Sequence, residues 1–348
     1  MNGMKQINLQ DYGLNRNFIT QSMEYHDLYL ARIISQEKNF YQAVCVNGVL
    51  FAEVSGKLRF EATIQSDFPT VGDFVMLDRC NNKNGNAIIH HVLHRKSLFV
   101  RKAAGKVNEE QVVAANIDIV FLCMSLNKDF NIHRLERYLS LTWESGAIPV
   151  VVLTKSDLCD NVHRKLQVVN SIALGVDVVV TSFIEPDGYK QISKYIKPGC
   201  TVALLGSSGV GKSSLINCLM GGEFLNTKEI RIDDDKGRHA TTRRELFLIS
   251  GGGIVIDTPG MRELGMWDVS EGLDKSFADI EAYFGKCHFR NCTHTSEPGC
   301  AIWEAIAHQE LSPKRWESYR RLKTEAVFAD NKSEYLAKKE KKFKNISK

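Results

Sequence analysis

The sequence has no hydrophobic run long enough to cross a membrane. It contains 348 residues, of which 43% are hydrophobic and 25% are charged, as in an ordinary water-soluble protein. None of its apolar runs approaches the roughly 20 residues that a membrane-spanning helix needs. The first residues, MNGMKQINLQDYG, also lack the apolar core of a secretion signal. We therefore expect a cytoplasmic protein without membrane contacts.

The nine cysteines are many, but they are spread over 348 residues and most are isolated. Six of the nine cysteines stand alone, several within apolar runs, where buried free thiols are expected. Only Cys287, Cys292 and Cys300 lie close together in the chain.

Positively charged residues are in clear excess only in the C-terminal segment. The net charge is +4, but residues 313–348 carry 12 Lys or Arg against 5 Asp or Glu. With its aromatic residues, this basic segment could bind the phosphate backbone of folded RNA. A solvated helical face explains the same pattern equally well.

The pattern of apolar residues divides the chain into three parts. A length of 348 residues suggests two or three domains. Short β-rich segments, separated by turn-formers such as Asn47-Gly48, fill the first part. They are LYLARII, AVCVNGVLFAEV, LRFEATI, DFVMLD and AIIHHVL. Five or so short strands predict a small barrel, for which an OB-like or an SH3-like form is possible.

The second part alternates longer strands with helices. IDIVFLCMSL is a continuous apolar run typical of a strand buried on both faces, and an amphipathic helix follows it. This alternation predicts a three-layer α/β domain. After residue 265 the chain reads as helical and basic around a Cys/His cluster. We expect a barrel at 1–100, an α/β domain at 101–265 and a helical metal-binding domain at 266–348.

A phosphate-binding loop follows the strand VALL. GSSGVGKS fits the pattern G-x-x-x-x-G-K-[ST], and a helix is predicted directly after it. Glycines allow backbone N–H groups to surround phosphate oxygens at a helix N-terminus. Lys212 would reach the β- and γ-phosphates, and Ser213 would bind Mg²⁺. The predicted phosphate-binding residues are Gly206, Ser207, Ser208, Gly209, Val210, Gly211, Lys212, Ser213 and Ser214.

A base-reading loop, TKSD, ends the strand PVVVL. The carboxylate of Asp157 can accept hydrogen bonds from N1–H and the 2-amino group of guanine, which adenine lacks, so GTP is favoured over ATP. A chance Lys-x-Asp surface turn and an ATPase are the weaker alternatives. The next strand ends in Thr181-Ser182, which could contact the guanine carbonyl. The predicted base-binding residues are Thr154, Lys155, Ser156, Asp157, Thr181 and Ser182.

Two further segments resemble the switches of a GTPase. Asp257-Thr-Pro-Gly260 would place a carboxylate near Mg²⁺ and the Gly260 N–H near the γ-phosphate. Upstream, the segment GRHATT would bring Thr241 or Thr242 to the metal, and which one does so stays open. Met261 stands where a water-orienting Gln is common, so intrinsic turnover should be slow. His239 is the candidate catalytic group, as a water-orienting or proton-accepting side chain, and a surface histidine in a flexible loop is the alternative.

The order of these motifs is unusual. The base-reading loop precedes the phosphate loop, and the two switches follow it. Joined end to end, the segments form the usual circle of GTPase motifs opened at another point. The sequence therefore predicts a circularly permuted GTPase domain.

The Cys/His cluster has the spacing of a metal site. Cys287, Cys292, His294 and Cys300 fall within 14 residues, in the pattern C-x4-C-x-H-x5-C. Three thiolates and one imidazole suit tetrahedral Zn²⁺, and four protein ligands indicate a structural site. Free cysteines in a loop are the alternative.

Together these motifs resemble the ribosome small-subunit-dependent GTPase A family of bacterial circularly permuted GTPases. The similarity covers nearly the whole chain, including LTKSD, GSSGVGKSSLIN, DTPGMRE and the Cys/His cluster. The family switch usually reads GRHTTT, whereas Ala240 occupies its first threonine position here, and His239 matches the histidine proposed as catalytic in the family.

The resemblance implies an OB barrel, a permuted GTPase domain and a zinc domain. It also implies binding of the small ribosomal subunit and its rRNA, and hydrolysis of GTP to GDP, stimulated by that subunit, during late subunit assembly. We expect a monomer. The alternative is a nucleotide-gated rRNA-binding module in which hydrolysis is incidental, and Met261 fits that alternative.

Overall fold

The structure is a computed structural model of the full chain. It describes residues 6–37, 40–81, 83, 85–102, 110–185, 188–221, 244–249, 251–257, 270–295, 297–324 and 327. Among these residues, no helix combines the length and the apolar character that a membrane crossing requires.

A closed five-stranded barrel forms the N-terminal part. Its strands are β1 (Tyr29–Gln36), β2 (Tyr41–Cys45), β3 (Gly48–Val54), β4 (Phe74–Leu77) and β5 (Ala87–Val92). The order β1-β2-β3-β5-β4 closes through a second pairing between β1 and β4. β3 and β5 run parallel, and the other pairs run antiparallel. This is the OB-like arrangement, and it confirms that prediction over the SH3-like alternative.

One predicted barrel strand is wrong. LRFEATI lies partly in the short helix α2 (Gly56–Glu61), between β3 and β4. The Ser55 side chain caps this helix by accepting from the Leu58 N–H at 3.0 Å. Phe60 is 92% exposed, so its ring does not take the inward position that an alternating strand pattern suggests. A strand is gained elsewhere, because AVCVNGVLFAEV folds back at Asn47-Gly48 into β2 and β3.

A second helix of the N-terminal part, α1 (Arg16–Ser22), precedes β1 and begins at an Asn15 cap. Phe18 from this helix packs on Phe74 of the barrel, with ring centroids 4.3 Å apart.

The central part is an α/β domain with helices on both faces of a sheet. Its strands are β8 (Ile119–Ser125), β9 (Ile148–Thr154), β10 (Asp177–Val180), β11 (Thr201–Leu205), β12 (Arg244–Leu248) and β13 (Ile254–Asp257). They lie in the order β10-β9-β8-β11-β13-β12, and only β12 is antiparallel to its neighbour in this domain. The predicted α/β alternation is confirmed.

Two separate cores lie on the two faces of this sheet. On one face, α3 (Ile132–Glu144) and α4 (Val162–Asn170) cover residues such as Val120 and Val151. On the other face, α5 (Lys212–Met220) covers residues such as Phe121. Alternate residues of one buried strand therefore serve opposite cores, which explains the unbroken apolar run in the sequence.

A two-stranded ribbon, β6 (Leu98–Lys102) and β7 (Glu110–Ala115), connects the barrel to the α/β domain. The two sheets are also continuous with each other. β12 pairs antiparallel with barrel strand β1 at Ser35–Glu245 and Gln36–Arg244, which gives one sheet of 11 strands.

A buried arginine strengthens this junction. Arg32 of β1 is 1% exposed and donates to the Gly72 carbonyl at 3.1 Å and the Thr201 hydroxyl at 3.0 Å, as well as to the carbonyls of Tyr12 and Asn116. Burial lowers the pKa of Arg32 to about 10, against the opposing effect of nearby carboxylates. Because its donors reach both the barrel and β11, Arg32 fixes the two parts relative to each other.

The C-terminal part is helical and packs on α3. Its helices are α6 (Ser270–Ser276), α7 (Ala278–Glu281), α8 (Ala301–Ala307) and α9, which covers residues 313–324. Arg315 of α9 bridges Asp279 of α7 and the buried Glu136 of α3, and its guanidinium lies 3.9 Å from the centroid of the Phe277 ring. Ser318 and His133 make a second link between α9 and α3 at 2.9 Å.

Candidate functional site

The phosphate loop lies between β11 and α5, at the carboxyl edge of the parallel strands, where α/β proteins bind ligands. Gly206 cannot carry a side chain here, because a Cβ would collide with the carbonyl oxygen of Cys123 on β8. Gly209 and Gly211 have φ values of 74° and 105°, which side chains disfavour. The glycines are thus required by the curvature of the loop.

Lys212 is buried under this loop at the start of α5. Its ammonium donates to the carbonyls of Gly206 at 2.7 Å and Ser207 at 2.6 Å. Beneath the loop, the thiol of Cys123 is fully enclosed. Burial raises the pKa of the Cys123 thiol to about 12, although the nearby Lys212 ammonium favours the thiolate. Cys123 is therefore a packing residue, as its apolar surroundings in the sequence suggested.

The TKSD segment contacts the phosphate loop directly. The Thr154 hydroxyl, at the end of β9, donates to the carbonyl of Val210 at 2.6 Å and is completely buried. The Lys155 ammonium donates to the carbonyl of Gly209 at 2.7 Å. Segments that lie 56 and 54 residues apart in the chain are thus in hydrogen-bond contact at one edge of the sheet.

The end of β10 completes this group. Ser182 donates from its hydroxyl to Asp157 at 2.6 Å, and Ser156 donates to the Thr181 carbonyl at 3.2 Å. Lys155 has a φ of 57°, a left-handed conformation that is uncommon outside glycine and that turns the chain away from β9. After this turn, Asp157 is exposed, and its carboxylate accepts from Ser182 at the end of β10.

The remaining predicted residues divide into two groups. Ser208 is exposed on the loop, while Ser213 and Ser214 are half-buried in the first turn of α5. Asp257 ends β13, which pairs in parallel with β11 and so brings this carboxylate to the same edge of the sheet. Gly260, His239, Thr241 and Thr242 lie outside the described residues.

The sequence interpretation missed Asp129. This residue lies in the loop after β8, and its carboxylate accepts a hydrogen bond from the Ser207 hydroxyl at 2.5 Å. Arg134 of α3 donates to both oxygens of the same carboxylate, at 3.0 and 2.9 Å. A signal was available, because Asp129 follows a buried parallel strand just as TKSD does.

The four predicted metal ligands converge. The ligand atoms of Cys287, Cys292, His294 and Cys300 all lie within 4.8 Å of one another. The His294 Nδ1 atom is 3.5 Å from the Cys287 sulfur and 3.4 Å from the Cys300 sulfur. A cluster of this kind could hold a metal ion.

The neighbouring residues fix the orientation of these ligands. The backbone N–H of Ala301, at the start of α8, points at the Cys287 sulfur at 3.4 Å. The His294 ring stacks on Phe284, with centroids 4.9 Å apart, and its carbonyl accepts from the Trp303 indole at 3.2 Å. Contacts of this type hold metal ligands in position.

A phosphate loop on a parallel sheet, touched by a TKSD loop that comes earlier in the chain, defines a circularly permuted P-loop GTPase. A sequence model of the family described as RsgA GTPase matches residues 92–267. The chain belongs to this family of GTPases, as the sequence predicted.

Relatives and solved structures extend the similarity to nearly the whole chain. The small ribosomal subunit biogenesis GTPase RsgA 2 of Lactiplantibacillus plantarum is 43% identical, over 95% of this chain and 92% of its own. The small ribosomal subunit biogenesis GTPase RsgA 1 of Listeria innocua is 41% identical, and the alignment covers 98% of this chain and 96% of the relative.

Among solved structures, YjeQ from Thermotoga maritima matches 86% of this chain and 99% of its own, with a TM-score of 0.64 and 26% identity. The match to YloQ, described as a circularly permuted GTPase, covers 87% of this chain and 96% of YloQ, with a TM-score of 0.62 and 26% identity.

Proposed function

We propose that this chain binds GTP at the edge of the sheet where the TKSD and phosphate loops meet, and hydrolyses it to GDP and phosphate. The contacts of Thr154 and Lys155 with the phosphate loop carry this proposal. They support a single site for the base-reading Asp157 and the phosphate-binding Lys212, because the two loops that carry these residues are in direct contact. The phosphate contacts come from residues 206–214, and the base contacts from residues 154–157 and 181–182.

We assign the following roles in nucleotide binding to these residues. Lys212 and the loop N–H groups hold the phosphates, and the stem of Lys155 covers one face of the purine. Asp157 selects guanine, with its orientation supported by the hydroxyl of Ser182. Mg²⁺, when bound, offsets charge on the phosphates, and Ser213 with Thr241 or Thr242 would hold it near Asp257.

His239 is the residue we assign to orienting the attacking water, with the Gly260 N–H at the γ-phosphate. Met261 cannot perform that role, because a thioether does not donate a hydrogen bond. Slow turnover by the free protein follows.

We further propose that the chain acts in the cytoplasm, as a monomer, on the small ribosomal subunit during its late assembly. The names of the relatives attribute biogenesis of that subunit to them. The barrel and the basic residues 313–348 are the proposed rRNA contacts, by the electrostatic attraction that dominates such binding. The proposed division is 1–100 for the barrel, 101–265 for the GTPase domain and 266–348 for the metal-binding domain.

Zinc is the metal we propose for the Cys/His cluster. For ligand bonds of about 2.3 Å to sulfur and 2.1 Å to nitrogen, a tetrahedral ion sets neighbouring S and N atoms about 3.6 Å apart. The observed separations of 3.5 and 3.4 Å between His294 and two of the sulfurs fit that value. Four protein ligands leave no position for substrate, so the role is structural.

GTP turnover with and without purified small ribosomal subunits tests the functional proposal. We expect small subunits to raise turnover strongly, large subunits to have little effect, and His239→Ala to lose the stimulation while it still binds GTP. Binding of GTP without stimulated turnover would instead favour the alternative, a nucleotide-gated rRNA-binding module.

A further inference from the structure

Asp129 is an acidic residue in a place where negative charge opposes the ligand. Its carboxylate lies 2.5 Å from the Ser207 hydroxyl, in the loop that we assign to phosphate binding. A carboxylate beside a site for a polyanion weakens binding by charge repulsion unless a neighbouring cation neutralises it. Its contacts explain what it does.

The first contact fixes the phosphate loop. Ser207 makes two hydrogen bonds in opposite directions. Its hydroxyl donates to Asp129, and its carbonyl accepts from the Lys212 ammonium at 2.6 Å. Asp129 therefore holds the residue that in turn holds the phosphate-binding lysine.

The second contact neutralises the charge. The Nη1 atom of Arg134 donates to both oxygens of the Asp129 carboxylate, and this charge-assisted contact places a positive charge directly against it. Asn131 caps α3 by accepting from the Arg134 N–H at 3.0 Å, so the base of the arginine is fixed by the helix start. Burial raises the pKa of Asp129, but the hydrogen bonds from Ser207 and Arg134 outweigh it and hold the pKa below its ordinary value. The carboxylate is thus ionised at neutral pH.

We propose that Asp129 is a positioning residue of the phosphate loop, which acts through Ser207 on Lys212 and depends on Arg134 for charge balance. This inference rests on the proposed nucleotide site. It assigns roles to two residues, Asp129 and Arg134, that belong to none of the GTPase motifs in the sequence.

A double-mutant cycle on the full chain tests the path through Ser207. The measurement is the Kd for a non-hydrolysable GTP analogue with Mg²⁺, together with kcat and KM for GTP. Asp129→Ala should weaken binding by roughly tenfold, the usual effect of losing a hydrogen bond to a charged group. The same change in a Ser207→Ala background should have less than about a twofold effect, because the contact is already absent.

A second pair of variants tests the charge balance. Arg134→Gln leaves the carboxylate unneutralised beside the loop and should weaken binding more than Asp129→Asn does. The double variant Arg134→Gln with Asp129→Asn should recover part of that loss, which a purely structural role would not produce.

Asp177→Asn is the matched control. Asp177 also accepts a hydroxyl hydrogen bond, from Tyr195 at 2.7 Å, but it begins β10 at the opposite edge of the sheet. The Asp177→Asn variant should bind the GTP analogue with the same Kd as the wild type.

The possible outcomes separate the two proposals. Equal losses from Asp129→Ala in both backgrounds, or no loss in either, would overturn the inference while the nucleotide site stands. If Asp129→Ala does not fold, Ser207→Ala alone removes the same contact and should give the same roughly tenfold loss. A wild-type chain that binds no GTP would remove the proposed function and this inference together.

Discussion

Arg315 and Glu136 form a buried ion pair, with 3.1 Å between Nη1 and Oε1, that joins α9 to α3. Both side chains are almost fully enclosed, at 6% and 2% exposure. Arg315 also binds both oxygens of Asp279 and the carbonyl of Ser276. Arg315 thus orders the C-terminal part through Asp279 and Ser276 and, through Glu136, adds to the Ser318–His133 link between that part and the α/β domain.

Replacing Arg315 by Met should loosen this attachment. The change removes the arginine from the buried Glu136 carboxylate, which keeps its contact with the His133 ring, and breaking a buried ion pair typically costs about 3–5 kcal/mol. Hydrogen exchange of amides in α6 and α9 would measure the loss of protection. Arg320→Met, an exposed position on α9, is the control and should change protection little. Equal protection in both variants would contradict the prediction.

Gly206→Ala should disable the phosphate loop. The added Cβ meets the backbone oxygen of Cys123, which cannot move without displacing β8. Strain of this kind amounts to about 1–3 kcal/mol, so GTP affinity should fall by roughly 5- to 150-fold. Calorimetric titration with GTP would measure it. Gly56→Ala, where nothing lies within 4 Å of the added atom, should leave the affinity unchanged.

Asp157→Asn should weaken the binding of GTP but not that of ATP. An amide cannot accept from both donors of guanine, and each lost bond costs about 1–3 kcal/mol. Competition between a fluorescent GTP analogue and either nucleotide would measure the preference. Asp160→Asn, an exposed neighbour just beyond the loop, is the control. An unchanged preference in Asp157→Asn would point to an ATPase.

Cys123 should resist alkylation in the folded protein across neutral and mildly alkaline pH. With its pKa raised by burial from 9.0 to about 12, the thiol stays neutral in the native state while the unfolded chain ionises. Its contribution to stability is therefore complete below pH 9 and is lost as the pH rises through 12.

Iodoacetamide labelling at pH 8, read by mass spectrometry, checks this prediction. The half-buried Cys159 should react in the native protein and Cys123 should not, whereas both should react in guanidinium. Similar native rates for the two thiols would show that the space around Cys123 is open.

Removing the metal should unfold the region around α8. The four ligands come from a segment with few regular elements, so a bound ion would supply much of its order. Metal analysis should give about one zinc ion per chain. The Trp316 ring lies 6.0 Å from the His294 ring, so a chelator should change its fluorescence. Cys292→Ser should lose the ion and Cys218→Ser should keep it; much less than one ion in the wild type would refute the site.

The sequence predicted the architecture well because its signals are local. The permuted order, for example, follows from motifs that each occupy a single segment, such as LTKSD and GSSGVGKS. The cysteine cluster is equally local, since its ligands fall between Cys287 and Cys300.

Contacts between distant segments could not be predicted. Asp129 and Ser207 are 78 residues apart, and Glu136 and Arg315 are 179 apart. Their pairing depends on loop shape and helix packing that periodicity does not encode. The prediction of a strand at LRFEATI failed for another reason. The Ser55 cap and the exposure of Phe60 favour a helix there and outweigh the strand-like composition of the segment.

The pairing of β12 with β1 also protects two strand edges from pairing with other chains. An unpaired strand at the border of a sheet presents free N–H and C=O groups, a template on which other chains can add strands. Here a border strand of the α/β domain and a barrel strand satisfy each other at Ser35–Glu245 and Gln36–Arg244. The contact that joins the two folds thus also shields both strands, at this point, from intermolecular β-pairing and aggregation.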